Sequence, residues 1–286
     1  MSSPKLVVSK EDGSILFDTR YIAYGLKKSG YLQYLQSWSR RTFKGGNVDP
    51  AWGGNWNESV VTGPNATSDN VYGFTLVGAK SPIVFIVGPG CRVGSTRNPD
   101  GSITFYYCGV TTAVKYYCFD LMSDDIPGGP YLKTYLENGD ISFNSLQPPL
   151  NVVQSIMAPP PYLSLESGTP APYLGGGKSF TESPRSAYFY YTFSLTAGVE
   201  YAVHLPWSRG GGLIMGTEAP GPGFGHSTIE GAYGGIGTAT FMFGPAAGGQ
   251  ASQSRSVSQT TWLNTASAPR PSALVVNTAG LPFPYN

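Results

Sequence analysis

Short apolar runs separated by clusters of glycine, proline, asparagine and serine recur along the whole chain, and they do not carry the spacing of a helix. The runs are VYGFTLVG (71–78), PIVFIVG (82–88), ITFYYCGV (103–110), VKYYCFDLM (114–122), AYFYYTFSL (187–195), VEYAVHL (199–205), TATFMFG (238–244) and ALVVNT (273–278). Each is rich in β-branched or aromatic residues and bounded by turn formers, which predicts a strand. One stretch, YLQYLQSWSRRTF (31–43), fits two readings, because Tyr31, Tyr34 and Trp38 suit a helix face and also an extended segment with large side chains. Within AYFYYTFSL, alternation sends Tyr188, Tyr190 and Thr192 to one face and Phe189, Tyr191 and Phe193 to the other. Rings on both faces lead us to expect a strand covered on both sides or placed at a subunit interface.

The predicted fold class is all-β, with two β-sandwich-like domains and long Gly/Pro-rich loops. Proline and glycine cluster in MAPPPYLSLESGTPAPYLGGGKS (157–179), where no strand pattern survives. This divides the chain into an N-terminal β domain (1–157), a Pro/Gly-rich linker or long surface excursion (158–179) and a C-terminal Gly-rich β domain (180–286). A second low-complexity stretch, GPAAGGQASQSRSVSQ (244–259), predicts a loop that a partner would order.

The phrase DGSILF (12–17) returns as DGSITF (100–105) and NGDISF (138–143). Asp-Gly and Asn-Gly tolerate the positive φ of a tight turn, and Ile-x-Phe puts two apolar side chains on one face, so each phrase predicts a hairpin. Extension separates the three. The first and last share Glu11 and Glu137 before the glycine, and an Asx followed by a hydroxyl residue after the phenylalanine, Asp18-Thr19 and Asn144-Ser145. The middle copy has neither. An Asx at that place folds its side chain back onto the following amides and ends the strand in a fixed direction. The pair reads as the opening and closing hairpins of one domain.

GSILFDTRY, close to the N-terminus and after KLVVSKED, resembles the opening of small tail proteins of long-tailed bacteriophages, in which a strand, a turn and a G-x-x-x-F-D-[ST]-R element start the chain. The likeness carries to Gly13, Phe17, Asp18, Thr19 and Arg20, and in the second copy to Gly139, Phe143, Asn144 and Ser145, with Leu146 in place of the arginine. It covers about a tenth of the chain. The resemblance implies a virion structural protein of a tail tip, baseplate or fibre, made in the host cytoplasm. Its implied partners are other phage tail proteins, in the central hub or a fibre, and a host cell-surface glycan or protein. A homotrimer follows if it belongs to a hub with threefold symmetry. Phe17, Asp18, Thr19, Arg20, Phe143 and Asn144 are then the candidate assembly motif.

Composition narrows the alternatives. Only 12% of residues are charged and the net charge is +1, so the basic excess that drives counterion release on nucleic acid is missing, and no nucleic-acid partner is expected. No run of about 18 apolar residues occurs, and MSSPKLVVSKEDG has no basic region before an apolar block, so neither membrane insertion nor signal-peptide export is expected. Cys91, Cys108 and Cys118 show no CxxC spacing. If NPDG (98–101) forms a type I turn, Cys91 and Cys108 fall opposite each other within disulfide range, although a reducing site of synthesis favours free buried thiols.

Catalytic material is sparse, and no catalytic residue, metal ligand or cofactor is expected. His204 lies on an apolar strand and His226 in a glycine loop. GGGKS (175–179) has Pro172 where a phosphate-binding loop needs its first glycine. Asp124 and Asp125 form a carboxylate pair of the kind glycosidases use, but sequence spacing does not give the separation such chemistry requires. Aromatic residues are stronger candidates. Trp38, Trp52 and Trp56 fall near Arg41, and Trp207 precedes Arg209. Tryptophan beside arginine is the chemistry of sugar stacking and of interface hot spots, or of side chains pinning an irregular loop to a sheet. The rival to a tail component is accordingly a carbohydrate-binding module using exposed Trp and Tyr.

Overall fold

A computed structural model describes residues 6–13, 15–18, 20–39, 41–43, 56–58, 68–111, 113–162, 171–182, 185–215, 224–247, 261–263 and 266–286. Among them there is no helix. The strands of the first half are β1 (Val7–Ser9), β2 (Ile15–Asp18), β3 (Tyr24–Tyr31), β4 (Gln33–Ser39), β5 (Arg41–Phe43), β6 (Trp56–Glu58), β7 (Ser68–Leu76), β8 (Ile83–Val87), β9 (Cys91–Arg97), β10 (Ile103–Cys108) and β11 (Lys115–Leu121). The second half gives β12 (Lys133–Tyr135), β13 (Ile141–Asn144), β14 (Val152–Met157), β15 (Gly177–Glu182), β16 (Arg185–Ser194), β17 (Tyr201–His204), β18 (Gly210–Met215), β19 (Phe224–Gly235), β20 (Thr238–Pro245), β21 (Thr261–Leu263) and β22 (Ser272–Asn277). All eight apolar runs are strands, and the ambiguous 31–43 stretch is extended, as β4 and β5.

A 12-stranded sheet runs in the order β14-β22-β17-β8-β19-β20-β16-β15, with β11 joining β8 to β3 and β18 joining β19 to β21. A four-stranded sheet, β4-β7-β10-β9, packs over part of it. Among the described residues, pairing is antiparallel apart from one parallel bridge, Gly234 to Val87. Cover from two sides explains the unbroken apolar runs of β8 and β11. Val84, Ile86, Tyr116 and Cys118 face Phe74 and Phe105 of the four-stranded sheet, with Phe74 stacked on Tyr116 at 3.7 Å between ring centroids. Phe85, Tyr117 and Phe119 face the other way, onto Leu26, Ala202, Val276 and the C-terminal Phe283. A third core collects Tyr173, Phe189, Phe241, Phe243 and Val275.

Strands from the two halves of the chain therefore share one sheet. β8 from the first half pairs along its length with β11 on one edge, and on the other edge it meets β17 and β19 from the second half, Ile86 opposite Val203 and Val87 opposite Gly234. A strand buried on both faces needs neighbours on both edges, and here the second edge is filled from distant sequence. The described residues of segment 158–179, namely 158–162 and 171–179, pack against this sheet, with Ala158 and Tyr173 buried and Ala158 N donating to Pro271 O at 2.9 Å.

Cys91 and Cys108 are cross-strand partners, as expected, but through two compensating shifts. Gly101 adds a residue at the turn, closed by Gly101 N to Asn98 O at 3.0 Å, and a bulge at Tyr106/Tyr107 restores the register. The disulfide that this pairing would allow is not formed. Both cysteines are buried, each with its sulfur turned to its own carbonyl, Met242 O at 4.0 Å from Cys91 Sγ and Asn70 O at 3.5 Å from Cys108 Sγ.

Candidate functional site

The outer two copies of the repeated phrase build the same object. In β1/β2 the register is Val7 to Asp18, Val8 to Phe17 and Ser9 to Ile15, with a bulge between Val8 and Ser9. In β12/β13 it is Lys133 to Asn144, Thr134 to Phe143 and Tyr135 to Ile141, with the bulge at the matching step. Both turns close with a glycine amide, Gly13 N to Lys10 O and Gly139 N to Leu136 O, each 3.0 Å. Those glycines have φ of 81° and 88°, which a side chain would strain. The exits match as well. Asp18 Oδ1 accepts from Arg20 N and Asn144 Oδ1 from Leu146 N, both at 3.0 Å. The carbonyls of Asp18 and Asn144 accept from Tyr21 N and Gln147 N, again at 3.0 Å. The middle copy shares the turn alone, since β10 runs past Phe105 and pairs with β7.

The difference between the copies has a physical reason. At the first exit the Arg20 Nε donates to both carboxylate oxygens of Asp18, at 3.0 and 2.7 Å, and the guanidinium is part-exposed. At the second exit Asn144 is fully buried, its Nδ2 donating to Ser123 O at 2.9 Å. A carboxylate there would be buried without a cation, so Asn and Leu146 replace Asp and Arg together. Gln147 is also buried, with Oε1 accepting from Ser123 N at 2.8 Å. The two exits meet: Leu26 N donates to Pro148 O and Leu150 N to Tyr24 O, both at 2.8 Å.

Both hairpins hold their outer faces in solvent. Leu6, Val7, Ile15 and Tyr21 are exposed in the first, Ile15 to 59%, and Tyr131, Leu132 and Tyr135 in the second. Phe143 is buried and the Phe17 side chain and Thr19 lie outside the described residues.

Of the tryptophan-arginine candidates, the described side chains are those of Trp38, Trp207 and Arg209. Trp38 is half-buried on β4, its ring 5.3 Å from Tyr106, and Trp207 is 42% exposed before β18. Arg41 and Trp56 lie on the paired strands β5 and β6, but their side chains, and Trp52 altogether, fall outside the described residues. Arg209 is not a surface residue. It is buried against Glu230, with Nε to Oε2 at 2.8 Å and the second guanidinium nitrogen to Oε1 at 2.7 Å. Tyr173 OH donates to the same Oε1 at 2.9 Å, and burial, then the carboxylate, push that phenol well above its usual pKa. The pull on Arg209 is the fully buried Glu230 carboxylate, which needs a cation. A lone Glu within an otherwise glycine-rich strand, GAYGG after IE, was the available signal.

Other sequence candidates resolve into structural roles. Nδ1 of His204 lies 2.9 Å from Val84 O, and burial lowers its pKa to about 4. Asp125 pairs with Lys27 and Asp124 with Lys133. Burial alone would raise the Asp125 pKa, but hydrogen bonds from Lys27 and Ser123 hold it below the ordinary value. GGGKS leads into β15, and the His226 side chain is outside the described residues. Among the described residues no cluster of His, Cys, Asp or Glu is suited to a metal ion.

One concavity was only half legible. Beside β16, Tyr188, Tyr190 and Thr192 line a cleft of about 250 Å³ with Ser179, Tyr233, Met242, Pro89, Gly109 and Thr111. Thus only the Phe189, Tyr191, Phe193 face of β16 packs on a core, and the other face is open, with Tyr190 39% exposed. No family model matches the chain, no curated protein matches it, and no solved structure matches it.

Proposed function

We propose that this chain is a structural component of a bacteriophage tail tip, baseplate or fibre, and that it works by subunit assembly rather than by catalysis. The observation that carries the reading is the repeated hairpin. Its first copy holds the F-D-T-R element that resembles phage tail proteins, ends in a fixed Asx turn, and presents Leu6, Val7, Ile15 and Tyr21 to solvent. Apolar side chains held on a small, rigid hairpin are suited to pairing with another subunit. The Asp18–Arg20 pair fixes the direction in which the chain leaves that hairpin, and so the angle at which the hairpin stands from the body. Assembly of identical subunits through such a surface is symmetric, and a homotrimer fits a threefold hub.

Ile15→Lys tests the surface directly. It places a charge on the open face and is expected to convert the assembly to monomer, read by sedimentation, with an unchanged thermal midpoint. Assembly indifferent to Ile15→Lys would contradict the reading.

A further inference from the structure

We propose that the cleft beside β16 is a binding site for a neutral saccharide. Its volume, about 250 Å³, lies just under the roughly 300–1,000 Å³ typical of small-molecule clefts, which suits a single sugar ring with its substituents. Three tyrosines line it, Tyr188 and Tyr190 from β16 and Tyr233 from β19, together with the hydroxyls of Ser179, Thr111 and Thr192. Among the described residues that line it there is no charged side chain.

The ligand class follows from that inventory. A charged ligand would find no counter-charge. A hydrocarbon would leave the hydroxyls it covers without partners, at a cost in desolvation. A sugar presents C–H faces to aromatic rings and hydroxyl edges to Ser, Thr and Tyr, and tyrosine offers both an apolar body and a polar tip.

The cleft is also built in advance. A Cβ placed on Gly177 would lie 2.7 Å from Tyr190 Cζ, so the ring rests directly against the neighbouring strand β15 and its position is fixed from below. Thr192 Oγ1 sits 3.0 Å from Thr240 Oγ1, and Thr240 is the cross-strand partner of Tyr233, so the three side chains stand on one face of β16, β20 and β19. Ser179 and Thr111 stand exposed at the rim. Side chains held before binding lose little freedom when a ligand arrives. The site is far in sequence from the repeated hairpins and uses none of their residues, so it goes beyond the assembly role and stands or falls separately.

The test is saturation-transfer NMR on the full chain with glucose, galactose, rhamnose and N-acetylglucosamine as separate probes. At least one is expected to bind with a dissociation constant on the order of 1 mM. Tyr190→Ala is expected to weaken that sugar about tenfold, from the loss of one aromatic contact. Tyr190→Phe, which keeps the ring, restores most of the affinity, and Trp207→Ala leaves it unchanged. Equal thermal midpoints for the wild type and the Tyr190 variants establish that the fold is intact. No transfer from any probe would overturn the proposal, as would binding that survives Tyr190→Ala or disappears with Trp207→Ala. None of these outcomes depends on the oligomeric state, which is measured on the same samples.

Discussion

Changing Asn144 to Asp swaps one nitrogen for one oxygen and separates the two copies of the hairpin by their environments. The Asn144 side chain has no exposure, and its Nδ2 donates to Ser123 O at 2.9 Å while its Oδ1 accepts from Leu146 N at 3.0 Å. In the aspartate the second contact survives and the first becomes two acceptors facing each other. Leu146 occupies the place that Arg20 has in the first copy, so no cation answers the new charge. A buried charge without its partner costs about 3–5 kcal/mol. The opposite exchange, Asp18→Asn, keeps the turn-closing acceptor for Arg20 N and removes an ion pair whose Asp18 side is buried and whose Arg20 side reaches solvent; the cation left behind is hydrated and no charge is left buried alone, so the loss is smaller. Urea unfolding at pH 7 is the assay, with midpoint and slope compared across the two variants. The sign of the pH dependence follows too. Burial raises the pKa of the introduced carboxyl in the folded chain, so its penalty is full above that raised value and fades as pH falls toward the unfolded value of about 4. Equal losses for Asn144→Asp and Asp18→Asn at pH 7 would refute the environmental account of the repeat.

Three further outcomes are expected. His204, lowered by burial to about 4 from 6.5, takes up a proton in the unfolded chain before it does in the folded one. Its contribution is therefore complete above pH 6.5 and is lost as pH falls toward 4, by at most about 3 kcal/mol, and urea titrations across that range should show the slope in the wild type but not in His204→Gln. Arg209→Met leaves the Glu230 carboxylate buried beside Tyr173 without a cation and should cost about 3–5 kcal/mol by urea unfolding, far more than Trp207→Ala. The thiols should resist a disulfide-exchange reagent in the native protein and react after unfolding, since burial pushes Cys91 up to about 12 and raises Cys118 as well.

What could be read in advance was local. Strand runs, the three glycine turns and the Asx exits depend on neighbouring residues, and the hydrogen bonds of Asp18 and Asn144 follow from their place after a strand. The alternation in AYFYYTFSL placed Tyr188, Tyr190 and Thr192 together on a face. Whether that face was covered depended on β15, β19 and β20, and no local pattern carries that information. The same limit hid the shared sheet. Pairing of β8 with β17 and β19 joins residues more than a hundred positions apart, and the proline-rich stretch between them looks like a linker because its partners are remote. Arg209 looked like a surface cation beside Trp207 because Glu230, which draws it inside, lies on another strand.

Native mass by light scattering, with and without reductant, tests the assembly reading most directly. The account predicts a homotrimer whose mass is indifferent to reductant, since all three cysteines are buried and none is in a disulfide. A stable monomer at working concentrations, with no affinity for other tail components, would contradict it.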